Sequence, residues 1–407
     1  AAAPTPVAAD RLAELLVAGR SHGLELAEAE AVAAQADAAT ALARAPLWPT
    51  LAVGGGYTRN QHASVVPIAG DELTIVPLDQ ADVTATLTVP LFDLSARRRV
   101  RAAAADHAAA AAAIAVTARD GDRAIVRAYY AWVGGAASTT AAVDARAAAV
   151  ANLALVEQRA AAQLASPLDV ARARAAIADA DATIAAAELV VATARRQLAT
   201  ATGITVDEVA PALPVEVAAE PPLATWLTAA ADQPEVRAAA ARHHAARARV
   251  DVSRAGYVPT VAATASERWT NAPGFGEALS GTIGVTLSWR YSLATPRQVA
   301  VDRAAVRVEA LRVARADQAA RDRITDAWHQ VVARRATVAA AQARVEAARL
   351  GAVTARDRFA AGTSTQLDVI LAQRDALAAE LAVVSAQAEL AADRALLRLA
   401  AGRELAP

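Results

Sequence analysis

Between Asp82 and Leu91 the chain alternates. Val83, Ala85, Leu87, Val89 and Leu91 are apolar, with Asp82, Thr84, Thr86, Thr88 and Pro90 between them. Ile283, Val285, Leu287, Trp289 and Tyr291 repeat the pattern against Thr282, Gly284, Thr286, Ser288 and Arg290. A period of two marks a strand with one apolar and one polar face. Strands are therefore expected at about 81–92 and 280–291, with less regular partners at about 49–60 and 259–270. The period then changes. Helical stretches run from about Ser95 to Leu164 and from about Pro296 to Ala361, with Pro296 expected to open the second as an N1 proline. At 1.5 Å per residue each is about 100 Å long, far beyond the ~10–14 residues of an ordinary globular helix. Val331, Val338, Val345, Ala352 and Phe359 fall seven apart with Ile324 opening the series, which is a coiled-coil seam. Shorter helical stretches precede the strands, at roughly Ala8–Ala45 and Leu223–Ala255, and another follows at Leu168–Thr202.

Self-comparison shows why the pattern occurs twice. Pro49 matches Pro259 at a shift of 210, whereas Ile125, Ala128 and Tyr129 match Ile324, Ala327 and Trp328 at a shift of 199. Leu168-Asp169-Val170 matches Leu367-Asp368-Val369, and Gly203 matches Gly402, at that same 199. About eleven residues are thus extra between the first pair of strands, as a longer loop requires. The expected fold is mainly α with a four-strand β contribution, in two repeats of helix–strand–strand–long helix–helix. Repeat 1 spans about 8–203 and repeat 2 about 223–402, joined by a proline-marked segment at about 203–222 containing Pro211, Pro214, Pro221 and Pro222. That linker is expected to form a belt outside the helices.

Composition narrows the function classes. Only 3% of the 407 residues are aromatic and alanine dominates the apolar fraction. A methyl group buries little area, but alanine lets long helices pack closely and favours the helix itself. The net charge is −1, so overall charge points neither to nucleic acid nor to an acidic membrane surface. There is no Cys and no Met, and the opening Ala1-Ala2-Ala3-Pro4 reads as what remains after signal-peptide cleavage. No run reaches ~18 uninterrupted apolar residues; the best, Ala102–Val116, is broken by Asp106 and His107. If this chain crosses a membrane, its strands do so. Nine to eleven residues suffice for a tilted strand, a Thr, Ser and Gly face suits a water-filled lumen, and Trp269, Trp289 and Tyr291 suit an interfacial aromatic belt. Four strands cannot close a barrel and lipid tolerates no open edge. Three chains would supply twelve strands. A small exposed sheet packed on helices, in a periplasmic coiled-coil structural or adhesion protein, is the alternative.

At this point the sequence resembles the TolC-type outer-membrane efflux protein family over essentially its whole length. The residues carrying the resemblance are Trp48-Pro49-Thr50 and Val258-Pro259-Thr260 at strand entry and Val89-Pro90-Leu91-Phe92-Asp93 at a strand's end. Phe359-Ala360-Ala361-Gly362-Thr363, followed by Leu367-Asp368-Val369, completes them. The resemblance implies a homotrimer, with a 12-strand transmembrane β-barrel in the outer membrane on a 12-helix periplasmic α-barrel. It implies a passive exit duct, gated at its periplasmic tip, working with a periplasmic adaptor protein and an inner-membrane transporter. The tips carried over are near Ala165–Val170 and Gly362–Val369, placing Leu168, Asp169, Gly362, Ser364 and Asp368 at the gate and adaptor-docking site. Two departures stand out: Gln163 occupies the position where the first tip ordinarily has Gly, and Ser288-Trp289-Arg290-Tyr291 replaces the Pro-Leu-Phe string.

Asp169 and Asp368 each begin a helix, where a carboxylate is stabilised by the dipole by about 0.3–1 kcal/mol. Threefold symmetry would also gather Asp368 into an acidic ring. Gly362 reads as a left-handed C-cap. The six His have no metal-ligand spacing, so no metal or other cofactor is expected. No nucleophile elbow, phosphate loop or HExxH string suggests an enzyme. Arg97, Arg98, Arg99 and Arg101 read by default as a solvated helix face, with lipid phosphates at the inner leaflet of the outer membrane as the alternative partners.

Overall fold

The computed structural model describes residues 8–68, 71–213 and 218–403. Ala1–Pro4 and Pro214, which figure in the sequence reading, lie outside them. The elements in order are α1 (Ala8–His22), α2 (Leu24–Arg44), β1 (Thr50–Arg59), β2 (Ser64–Ile68), β3 (Asp71–Val76), β4 (Asp79–Phe92), α3 (Leu94–Ala161) and α4 (Pro167–Thr202). After the linker come α5 (Leu223–Leu227), α6 (Pro234–Ala255), β5 (Thr260–Thr270), β6 (Leu279–Ser288), α7 (Ala294–Ala360) and α8 (Gln366–Ala400).

The chain divides into two compact units. One comprises residues 31–112 and 238–314 and holds the six strands found among the described residues. Its main sheet has the order β1-β4-β5-β6, antiparallel throughout, so the two halves of the chain meet at β4 and β5. Pro90 sits beside a register shift between Pro90 and Phe92, the kind of irregularity to which a strand proline is ordinarily confined. The extra residues of the first half form the β2–β3 hairpin, with Ile68 opposite Asp71, rather than the plain loop expected.

The other unit comprises residues 1–30, 113–237 and 315–407. It is held by helical seams. Ile324, Val331, Val338, Val345 and Phe359 are buried, as the seven-residue spacing requires, and Ala173, Ala180, Ala187 and Ala194 make a second such stripe on α4. Ile324, Val331 and Val338 pack with Ala386, Leu390 and Leu397 of α8. Tyr129, Trp132, Leu15 and Leu198 anchor a cluster of larger side chains, which compensates for the small area an alanine seam buries.

Three expectations about helix bounds are corrected. The stretch 8–45 is divided into two helices at Gly23, although the Gly23 amide still bonds the Gly19 carbonyl at 3.0 Å. The stretch 223–255 is split, because Pro234 starts a fresh helix. The α7 helix begins at Ala294, whose amide donates a hydrogen bond to Ser292 Oγ at 3.2 Å, so Pro296 lies inside its first turn, where no N–H is needed. The absence of an uninterrupted apolar run of membrane-spanning length stands, although α3 contains a window whose average, by length and composition alone, is apolar enough to cross a membrane. Only about a fifth of that window is buried (22%).

Candidate pore wall and helical tip

The sheet has two chemically distinct faces. Register places Leu51, Val53 and Tyr57 of β1 beside Leu87, Ala85 and Ala81 of β4. Leu87, Val89 and Val83 in turn face Ala265, Ala263 and Trp269, which face Ile283, Val285 and Leu279. This face is apolar apart from Glu267 and the Arg59–Asp79 pair at the loop end, and it is open: Ile283 is 90% exposed. Exposed apolar surface of that extent marks an interaction face.

The opposite face carries Thr84, Thr86 and Thr88, Thr264 and Ser266, and Thr282, Gly284 and Thr286. Its two charged side chains, Asp82 and Arg268, bond to each other at 2.5 Å, and Gln80 donates to the same carboxylate at 2.8 Å. The two strands at the edges, β1 and β6, are exposed along their whole lengths. Each presents a row of backbone donors and acceptors with no partner strand.

The expected aromatic belt divides between the two rims. Trp269 is the penultimate residue of β5, paired with Leu279 at the loop end. Trp289 and Tyr291 lie past Ser288, where β6 stops, and so at the helix end. The strand was expected to continue to 291; instead Trp289 Nε1 donates to the Tyr257 carbonyl at 3.2 Å and its ring lies 6.5 Å from that of Tyr291.

At the α3–α4 turn, Leu164 N–H bonds Arg159 C=O at 2.8 Å and Gln163 N–H bonds Ala160 C=O at 3.0 Å. At the α7–α8 turn, Thr363 N–H bonds Arg358 C=O at 2.8 Å and Gly362 N–H bonds Phe359 C=O at 3.0 Å. Both are Schellman turns, with Gln163 at φ 60° and Gly362 at φ 75°. The departure at 163 therefore leaves the turn intact.

Each turn leads into a capping box. Ser166 Oγ accepts from Asp169 N–H at 3.2 Å, and Asp169 Oδ2 accepts from Ser166 N–H at 3.0 Å and from its hydroxyl at 2.7 Å. Thr365 and Asp368 repeat this at 3.3, 2.8 and 2.7 Å. Hydrogen bonds from the Ser166 hydroxyl and amide hold the Asp169 carboxyl below its ordinary range; the Thr365 amide and hydroxyl do the same for Asp368. The boxes are legible in the chain as Ser-x-x-Asp and Thr-x-x-Asp, and they add a hydroxyl partner to each helix-start carboxylate.

Arg159 had no such signal. Its guanidinium lies 4.4 Å from the Phe359 ring centre and donates to the Phe359 carbonyl, linking one tip to the other. Val156, Ala173, Phe359 and Val369 form the cluster beneath. Leu164, Leu168, Leu367 and Leu371 are exposed, and Ser364 Oγ donates to Ala355 C=O at 3.3 Å. Among the described residues no group of His, Asp and Glu is placed to hold a metal ion.

The outer-membrane efflux channels are the proteins this chain resembles. Its fold matches the outer-membrane channel OprN at 22% identity and TM-score 0.80, over 97% of this chain and 90% of that one. It matches the outer membrane protein VceC of Vibrio cholerae at 20% identity and TM-score 0.80, over 98% and 97% of the two chains. For the Campylobacter jejuni CmeC outer membrane channel the values are 15%, 0.81, 96% and 85%. No curated protein matches. The model of the outer membrane efflux protein family matches residues 17–204 and 228–403, nearly the entire chain, and this protein belongs to that family.

Proposed function

We propose that three copies of this chain close into a twelve-strand outer-membrane barrel and act as the passive exit duct of a tripartite efflux or secretion system. The observation carrying this reading is the four-strand sheet: apolar on one face, polar on the other, and open at both edges. Each unpaired backbone group in hydrocarbon costs several kcal/mol, so such a sheet enters a membrane only if other strands pair its edges. The strand directions permit this. In the order β1-β4-β5-β6 neighbours are antiparallel, so β1 and β6 also run oppositely. A rotation that lays β6 of one copy beside β1 of the next makes an antiparallel pair, and repeating it closes a ring.

Within this reading Trp269 on one rim and Trp289 and Tyr291 on the other face lipid at the two interfaces. The tips form the gate. Asp368, kept ionised by its cap, contributes to an acidic ring around the threefold axis, with Asp169 in support. Leu168, Gly362 and Ser364 lie on the surface met by a periplasmic adaptor, which couples the duct to an inner-membrane transporter. The duct performs no chemistry of its own.

Single-channel recording in planar bilayers tests the proposal. Small, cation-selective openings that lose selectivity in Asp368→Ala support both pore and gate; openings indifferent to that change would place the gate elsewhere. A protein that fractionates as soluble monomers, with no heat-sensitive trimer in the outer membrane, would defeat the duct and favour a periplasmic structural role.

A further inference from the structure

The two rims of the sheet carry opposite charge. Thr50, Phe92, Thr260 and Ser288 mark the strand ends on the helix side. In the ten residues beyond each of them stand eight arginines and two aspartates in all, a net charge of +6 in a protein whose total is −1. Arg44 precedes β1, Arg254 precedes β5, Arg290 and Arg297 follow β6, and the run Arg97-Arg98-Arg99 with Arg101 follows β4. The loop-side rim, counted the same way beyond Arg59, Asp79, Thr270 and Leu279, carries no arginine and three acids, Asp71, Glu72 and Glu277.

The two aspartates on the basic rim are already occupied. Asp93 Oδ1 accepts from the Ala96 amide at 2.8 Å, and Asp251 lies 3.4 Å from Arg98 and 3.9 Å from Arg254. Arg44, Arg97, Arg99, Arg101, Arg290 and Arg297 are exposed and make no ion pair among the described residues. Local structure does not favour them. No acid lies in the first turn of α7, so Arg297 faces the positive end of that helix dipole uncompensated, whereas at α3 only the capping Asp93 offsets it beside four arginines. Arg97 and Arg101, four apart, also repel one another. Exposed Trp48, Trp289 and Tyr291 stand at the same strand ends, the residue types that settle at headgroup depth.

We propose that this arginine collar binds anionic phospholipid headgroups at the helix-side membrane surface, seating the barrel at one depth and orientation. The proposal rests on the barrel reading above. Guanidinium groups match phosphate oxygens bidentately, and a polybasic ring beside an aromatic belt is attracted to an anionic lipid surface.

The test reconstitutes the full-length protein in vesicles containing brominated phosphatidylglycerol or brominated phosphatidylcholine and measures quenching of its tryptophan fluorescence. Wild type should be quenched severalfold more effectively by the anionic lipid. The preference should fade as salt rises toward 1 M and the screening length falls from about 10 Å to about 3 Å. R97Q/R99Q/R101Q/R297Q should abolish it, while the corresponding four-lysine variant retains most of it. Equal quenching by both lipids in wild type, or an unchanged preference in the glutamine variant, would overturn the collar. So would a glutamine variant whose ion selectivity changes while its lipid preference does not, since those arginines would then line the lumen. A wild-type chain that enters neither vesicle would instead overturn the barrel.

Discussion

The tips at 162–166 and 361–365 follow the same course with different residues at the critical point. Each has the two crossed backbone bonds of a Schellman turn and each is followed by a reciprocal side-chain cap. The second places Gly362 at φ 75°, where glycine is unstrained; the first places Gln163 at φ 60°, where a side chain costs roughly 1–2 kcal/mol. The turn is therefore imposed by the helices and caps on either side, and glycine only lowers its cost. A second difference concerns the arginines. Arg159 stacks on Phe359 and holds its carbonyl, whereas Arg358, its counterpart 199 residues on, makes no ion pair or ring contact among the described residues.

That asymmetry can be broken residue by residue, with hydrogen exchange of the tip amides as the measure. The largest effect is expected from Arg159→Ala. Losing a charge-assisted hydrogen bond and a cation–π contact should open the tip by about 2 kcal/mol, while Arg358→Ala stays within about 0.5 kcal/mol. Equal effects would show that the link between tips carries little. Next come the turn residues. Gly362→Ala should destabilise by about 1 kcal/mol, although an added Cβ would meet only Arg159 Nη2 at 3.7 Å, so the cost is conformational and not steric. Gln163→Gly should change stability the opposite way, by about 0.5–1 kcal/mol. Gln163→Gly slowing no amide would mean that the left-handed conformation carries no strain there.

Ser166→Ala and Thr365→Ala should each cost about 1 kcal/mol and by similar amounts, because the two boxes have the same geometry. The smallest expected effect is that of pH. Both carboxyls lie lower in the folded chain than their ordinary value of 3.8, so the stabilisation they provide is fully present above that value. It disappears as pH falls through the folded values. Tip amides should accordingly exchange faster only in strong acid, and Asp169→Asn with Asp368→Asn should remove that dependence. Acceleration already near neutral pH would assign the effect to another group.

Features written as local periodicity are legible in the chain itself. The strands β4 and β6, the two long helices and the seam from Ile324 to Phe359 declare themselves by spacing, because side-chain direction repeats every two residues in a strand and about every three and a half along a coiled-coil seam; β1 and β5 alternate less regularly. The 199-residue offset also aligns Leu168-Asp169-Val170 with Leu367-Asp368-Val369. The β2–β3 hairpin is hidden because Pro67 interrupts a short strand and so reads as loop. The end of β6 at Ser288 is hidden because Trp289 and Tyr291 continue the alternation after the backbone has left the sheet.

What the sequence by itself determined is therefore the type, the approximate bounds and the apolar face of the main-sheet strands and the long helices. Tertiary structure alone decided the pairing of Asp82 with Arg268, the link from Arg159 to Phe359, and the gathering of eight arginines at one rim. Those contacts join residues 186 and 200 positions apart in the first two cases. No local propensity encodes such a separation; it arises only when strand register and helix packing bring distant side chains to the same place.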